Sequence, residues 1–232
     1  MMTRVGFFWV LIAGLTTFGL GAEESQRIEL FDRNPDHFSE QWRERGFPLI
    51  APTQYRIQPG KSGSVVRGRS DGGNRALFRE STVEKPTVAR LSWRWRVTQG
   101  LKGEVSERTR AGDDFAARVF VVFETSIVPT RTRAINYVWA AKGAKASVFP
   151  SPYTNQVAHI VLRSGAAGDA ERAWFAEERD VLADYESFFG EPAAVISAVA
   201  IMVDADNTAQ VAEAEFTGLF WEISSAGGIS NP

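Results

Sequence analysis

The chain of 232 residues contains no cysteine. That excludes disulfide bonds, thiol nucleophiles and cysteine-ligated zinc. Only two histidines are present, His37 and His159, so no three-histidine metal site can form within one chain. A serine–histidine mechanism would have to use one of these two. Bulk positive charge is also lacking: 26 basic residues face 28 acidic ones, a net charge of −2. This disfavours nucleic-acid binding driven by overall charge. "GKS" at residues 60–62 lacks the upstream glycine and the strand-then-helix setting of a phosphate loop.

One long hydrophobic run is present, at the start. Arg4 precedes "VGFFWVLIAGLTTFGLGA", which carries no charge and ends in small residues before "EES". This layout predicts a secretory signal at residues 1–22, cleaved after Ala22, and a periplasmic or secreted product. The alternative is an uncleaved membrane anchor. Gly14, Gly19 and Gly21 and two threonines within the run weaken it as a spanning helix. Residues 23–224 then read as a single domain, and residues 225–232 as a flexible tail.

Within that domain, alternation dominates. "LSWRWRV" puts Leu91, Trp93, Trp95 and Val97 on one face and Arg94 and Arg96 on the other. "FAARVFVVF", "INYVWAA", "VAHIVLRSG", "AVISAVAIMV" and "AEFTGLFWEI" are β-branched and aromatic strand patterns. Shorter strands, "RIELF", "YRIQ", "SVVRGRS" and "RALFRE", precede them, punctuated by proline, glycine and asparagine. Such spacing predicts an all-β fold, a jelly-roll-like sandwich of two antiparallel sheets. One helix is expected near residues 180–190, where Val181, Leu182, Tyr185, Phe188 and Phe189 recur at helical spacing before Gly190 and Pro192.

"LSWRWRV", "RTRAGDDFAARVFVVF", "NYVWA", "PSPYTNQVAHIVLRSG", "DVLADYESFFGEP" and "AIMVDADNT" occur in that order. Together they resemble domain-of-unknown-function family 3047, exported bacterial proteins, over residues 27–223. The resemblance implies an exported one-domain protein and no particular chemistry. "IELFDRNP…QWRERGF" also resembles the first strand of jelly-roll carbohydrate-binding modules, a fold-level analogy.

Charged residues at mid-strand stand out, because an unpaired buried charge is expensive. With Trp93 and Trp95 in the core, Arg94 and Arg96 project from the opposite face. Arg118, His159 and Arg163 interrupt other apolar strands. The expectation is a concave groove in which Arg94, Arg96, Arg118, Arg163 and His159 hold an acidic or polyhydroxylated ligand, a glycan above all. Tyr137 and Trp139 would offer a sugar-stacking surface on the same side. The opposing expectation is an arginine–aspartate ion-pair network that fixes sheet register.

Asp204 and Asp206 end an apolar run one residue apart, so both carboxylates can face one way. With Thr208 and Glu215 they partly mimic a calcium loop, but Ala209 stands where that loop needs glycine. A sandwich-type calcium ion is one reading, and a strand-ending turn that satisfies backbone groups is the other. No further cofactor is expected.

"KGEVSERTRAGDD", residues 102–114, reads as a charged loop long enough for a lid, and Asp113 and Asp114 at its end join the acids of the groove. The leading expectation is a non-catalytic binding protein. A polysaccharide hydrolase or lyase, with His159 or an aspartate as base, is the alternative. A structural or assembly protein without a small ligand is the third.

Overall fold

A computed structural model describes residues 25–230 except 33, 62, 125–131 and 166–172. The proposed signal at residues 1–22 lies outside the described residues. In chain order the elements are β1 (Gln26–Glu29), α1 (Pro35–Gln41), β2 (Arg43–Gly46), β3 (Gln54–Gly60), β4 (Gly63–Asp71) and β5 (Asn74–Gln99). There follow β6 (Ala117–Glu124), β7 (Thr132–Ala140), β8 (Val148–Ser151), β9 (Thr154–Ser164), β10 (Phe175–Asp180), α2 (Val181–Phe189), β11 (Val195–Asp204) and β12 (Val211–Ser230).

The strands form two layers joined by shared strands. The first runs β2, the N-terminal part of β5, β11, β6, β7, β9, β8. The second runs β3, β4, β12, the C-terminal part of β5, β10, with β1 also paired to β12. In β5, residues 74–84 pair with β11, whereas residues 90–95 pair with β10. Lys85, at φ +47° and followed by Pro86, marks the changeover. A strand that switches layers at a bend is how sandwich corners are made.

Among the described residues all strand pairs are antiparallel but one: β9 runs parallel to β7. The reason is local. β8 pairs antiparallel with β9 on the side away from β7, which leaves β9 in the same direction as β7.

Alternation places the core correctly. Trp93 and Trp95 are buried, and they meet Tyr137 and Trp139 of the opposite layer at ring-centroid distances of 5.4 and 5.8 Å. Such tilted and edge-on aromatic pairs add to the area they bury.

α2 begins and ends as its sequence dictates. The Asp180 carboxylate accepts from Ala183 N–H at 3.1 Å, and Gly190 closes the helix at φ +75°. Its Tyr185 packs on Phe123 of the first layer, ring centroids 4.5 Å apart.

A second helix, α1, was not expected. Its signal was legible: Asn34 caps it by accepting from Asp36 N–H at 3.0 Å, with proline at the first turn. It seats Phe38 and Trp42, stacked at 5.2 Å, on the core.

The expected tail is corrected at residues 225–230. β12 continues through them and pairs Gly228, Ile229 and Ser230 with Glu84, Val83 and Thr82. Glycine and serine leave little periodicity to read there, yet free backbone groups on β5 capture the segment. Among the described residues no helix is long and apolar enough to cross a membrane.

Candidate ligand cleft on the first layer

β6 and β11 lie side by side in register, Met202 opposite Arg118. Their alternate residues therefore share the outer face of the first layer, away from the core. On that face Arg118 is 5 % exposed and Asp204 is 1 % exposed. Arg118 Nε donates to Asp204 Oδ1 at 2.6 Å, and Nη2 donates to Asp204 Oδ2. Nη2 also donates to the Asp113 carbonyl at 2.6 Å, and Nη1 lies 3.5 Å from Asp113 Oδ1. The Asp204 carboxylate accepts Phe115 N–H as well, at 3.2 Å. This is a two-point guanidinium–carboxylate pair with its remaining groups mostly satisfied.

His159 projects from β9 onto the same cluster and is fully buried. Its Nδ1 lies 2.8 Å from Asn136 Nδ2, which donates to it and so leaves the ring proton on Nε2. Nε2 is 3.3 Å from Asp113 Oδ1 but makes no aligned hydrogen bond. Phe115 and Phe149 enclose the imidazole, with centroids 5.1 and 5.3 Å away.

The loop at residues 102–114 delivers Asp113 and Asp114. It is pinned and does not act as a free lid. Glu107 is buried and accepts Ala141, Lys142 and Gly143 N–H at 3.0, 2.9 and 3.3 Å. Asp114 in turn binds the turn after β11, accepting Asn207 N–H at 3.1 Å and the Thr208 N–H and hydroxyl, each at 2.6 Å. Asn207 reaches Tyr153 and the Arg110 carbonyl.

One guanidinium thus faces four carboxylates. Burial pushes Asp204 up to about 7 against the pull of Arg118, and Asp114 and Asp113 add to the push. Burial also raises Asp206, which Asn74 partly offsets. Asp113 goes the other way: burial raises it, but Arg118, His159 and Ser151 outweigh burial and hold it below its ordinary value. Burial lowers His159, and Arg118 adds to this, so the ring is neutral at pH 7. Arg118 is held above its ordinary value by Asp204 and Asp113, against burial.

Above the cluster lies a cleft of about 450 Å³. Phe120 and Met202, outer-face neighbours of Arg118, line it with Val157. Phe47, Ile50, Tyr153 and Asn207 also line it, with Phe47 63 % and Tyr153 53 % exposed. Mostly apolar walls with a few fixed polar groups are the usual make-up of a small-ligand site.

Of the residues expected from sequence, Arg118, His159, Asp113, Asp204 and Asp206 come together here, with Asp114 behind them. The rest do not. Arg94 is exposed on the second layer, 5.9 Å from the Trp174 ring. Arg96 pairs with Glu215 at 2.6 Å. Arg163 pairs with Glu177 at 2.7 Å and lies over Phe175. Tyr137 and Trp139 are buried between the layers, so they provide no stacking surface. A shared arginine hollow therefore does not form. Arg94 and Arg96 do point opposite the two indoles, but from a strand segment that belongs to the second layer.

The acidic set does not fit calcium. Oxygens of Asp114, Asp204 and Asp206 do lie within 4.8 Å of one another. Yet Asp204 is taken by Arg118 and Phe115 N–H, and Asp114 by the turn it ties down. Glu215 is on the second layer with Arg96. A divalent ion would have to displace these donors beside an existing positive charge. Asn207 and Thr208 instead follow the other expectation, a strand-ending turn.

Sequence reasoning missed Phe120, Met202, Tyr153 and Asn136. Phe120 and Met202 were within reach, since each lies two residues from a charged outer-face residue.

A model of the family described as "Protein of unknown function (DUF3047)" matches residues 40–220. The chain belongs to DUF3047. No curated protein gave a significant match to this DUF3047 chain. Among solved structures it is similar to a family 11 carbohydrate-binding module from Clostridium thermocellum in complex with a β-1,3-1,4-mixed-linked tetrasaccharide. That match has 10% identity and a TM-score of 0.45, and covers 88% of this chain and 99% of the module. It is also similar to the xyloglucanase domain of NopAA, a type three effector from Sinorhizobium fredii, in complex with cellobiose, with 10% identity and a TM-score of 0.46 over 80% of this chain and 94% of that one.

Proposed function

We propose that this is an exported binding protein whose first-layer cleft holds a segment of an uncharged glycan. The observation that carries the reading is the cleft of about 450 Å³ in which Phe120 and Tyr153 stand beside the immobilised Arg118, His159 and Asp113. Sugars are recognised by aromatic rings against their C–H faces and by fixed polar groups around their hydroxyls. An acidic ligand suits this cleft poorly, because its one guanidinium is already neutralised and further carboxylates surround it. Export rests on the charge-free run after Arg4.

Binding is favoured over hydrolysis or elimination by the state of the ionisable groups. The His159 Nδ1 lone pair is taken up by Asn136, and Asp113 is held ionised by Arg118. Neither is poised to exchange a proton near neutrality, and Asp204, raised to about 7, is 1 % exposed with both oxygens held by Arg118.

The test is calorimetric titration of neutral oligosaccharides, with Phe120→Ala and Tyr153→Ala as variants. Each lost aromatic contact is worth about 1 kcal/mol, roughly a five-fold loss of affinity. Tyr153→Ala should leave the melting temperature almost unchanged. Failure of every neutral oligosaccharide to bind, or equal binding by both variants, would overturn the reading.

A further inference from the structure

A second cavity, of about 850 Å³, shares no residue with the cleft. It lies among β1, α1, β10, β12 and both parts of β5. Two donor-only groups line it. Arg79 is 5 % exposed; its Nη1 donates to the Leu30 carbonyl at 2.6 Å, while its Nε has no partner. Trp93 is 1 % exposed, and its indole Nε1–H has no partner either. The indoles of Trp42, Trp95 and Trp139 donate to Leu30, Glu177 and Gly165, whereas that of Trp221, outside this cavity, shares the lack of a partner with Trp93. Buried donors without acceptors are uncommon and costly.

Charge points the same way. Among the described residues Arg79, Arg94 and Lys61 line this cavity without an ion pair. Its acids are mostly engaged: Glu29 by Arg27, Asp32 by the Asn34 N–H, Glu177 by Arg163. Glu178 alone remains. A buried guanidinium without a carboxylate partner favours an anion, and burial lowers Arg79 with only partial relief from Asp32.

We infer that this cavity is a binding site for a small organic carboxylate, whose oxygens accept the Arg79 Nε–H and the Trp93 Nε1–H. Arg94 and Lys61 supply further positive charge around it. The anion chemistry expected from sequence thus belongs here, with Arg94, and not with Arg118. The inference stands apart from the glycan reading, since the two sites have no residue in common.

The test follows the Arg Nε–H and Trp Nε1–H resonances of the 15N-labelled protein during titration with galacturonate, butyrate and galactose. Assignments come from Arg79→Gln and Trp93→Phe. The Arg79 and Trp93 signals should move together with a millimolar Kd for either carboxylate and stay still with galactose. Movement with galacturonate alone narrows the ligand to acidic sugars, and movement with both shows that the carboxylate suffices. In Arg79→Gln the Trp93 response should fall at least ten-fold. Should neither carboxylate move these signals, or galactose move them equally, the site is only hydrated and the inference fails. Loss of neutral-oligosaccharide binding at Phe120 would leave this result untouched.

Discussion

Arg118 and Asp204 meet as a two-point ion pair between adjacent strands, both side chains shut away from solvent. Asp113 and the Phe115 backbone N–H are arranged around this pair. It orients Asp113, and Asp113 lies beside His159.

Breaking the pair should damage folding before it damages binding. Removing one partner of a buried ion pair strands the other, at about 3–5 kcal/mol. Arg118→Ala is therefore expected to lose that much in urea denaturation. The pair also gives a coupling test: in a double-mutant cycle, Arg118→Ala with Asp204→Ala should cost clearly less than the sum of the single changes. An additive cycle would mean that the two side chains do not interact.

His159 should make stability rise with pH. Its folded pKa is lowered, so the unfolded chain takes up a proton first as pH falls below about 6.5. Asp204, raised to about 7, acts oppositely, since its folded form holds a proton that the unfolded form has lost. The two slopes overlap, and His159→Gln removes one of them. The stability of wild type relative to His159→Gln should grow between pH 5 and pH 7, by no more than about 1.4 kcal/mol per pH unit. Denaturation at three pH values measures it, and a constant difference would contradict a buried neutral imidazole.

Chelation should change nothing. The oxygens of Asp114 and Asp204 are already occupied by protein donors. EDTA is expected to leave the melting temperature where it was, and added calcium should not raise it. A rise with calcium would reveal an ion bound to the native state.

Glu107 should prove structural. One of its oxygens accepts three consecutive backbone N–H groups after β7 and thereby anchors the loop that carries Asp113 and Asp114. Glu107→Ala leaves those donors short of an acceptor, a loss of about 1–3 kcal/mol. Hydrogen exchange at residues 141–143 should speed up with it.

The residues by themselves determined a good deal. Alternation in "LSWRWRV" placed both indoles in the core and both arginines on the far face of their strand. The span from Asp180 to Gly190 carried its own start and stop signals, as did Asn34 and Pro35, whose helix went unread. These are local properties: which way a side chain points along a strand, and which groups cap a helix, depend on a few neighbouring residues.

Only the tertiary structure decided which charges share a surface. Arg94 and Arg118 both point away from the core, and nothing within either strand says that these are the outer faces of different layers. That depends on β5 changing layers at Lys85 and on strand pairing across more than 80 residues, from Arg118 to Asp204. Long-range pairing brought Arg118 to the acids and left Arg96 with Glu215. It also buried Tyr137 and Trp139, because their alternate positions on β7 face the other layer and not solvent.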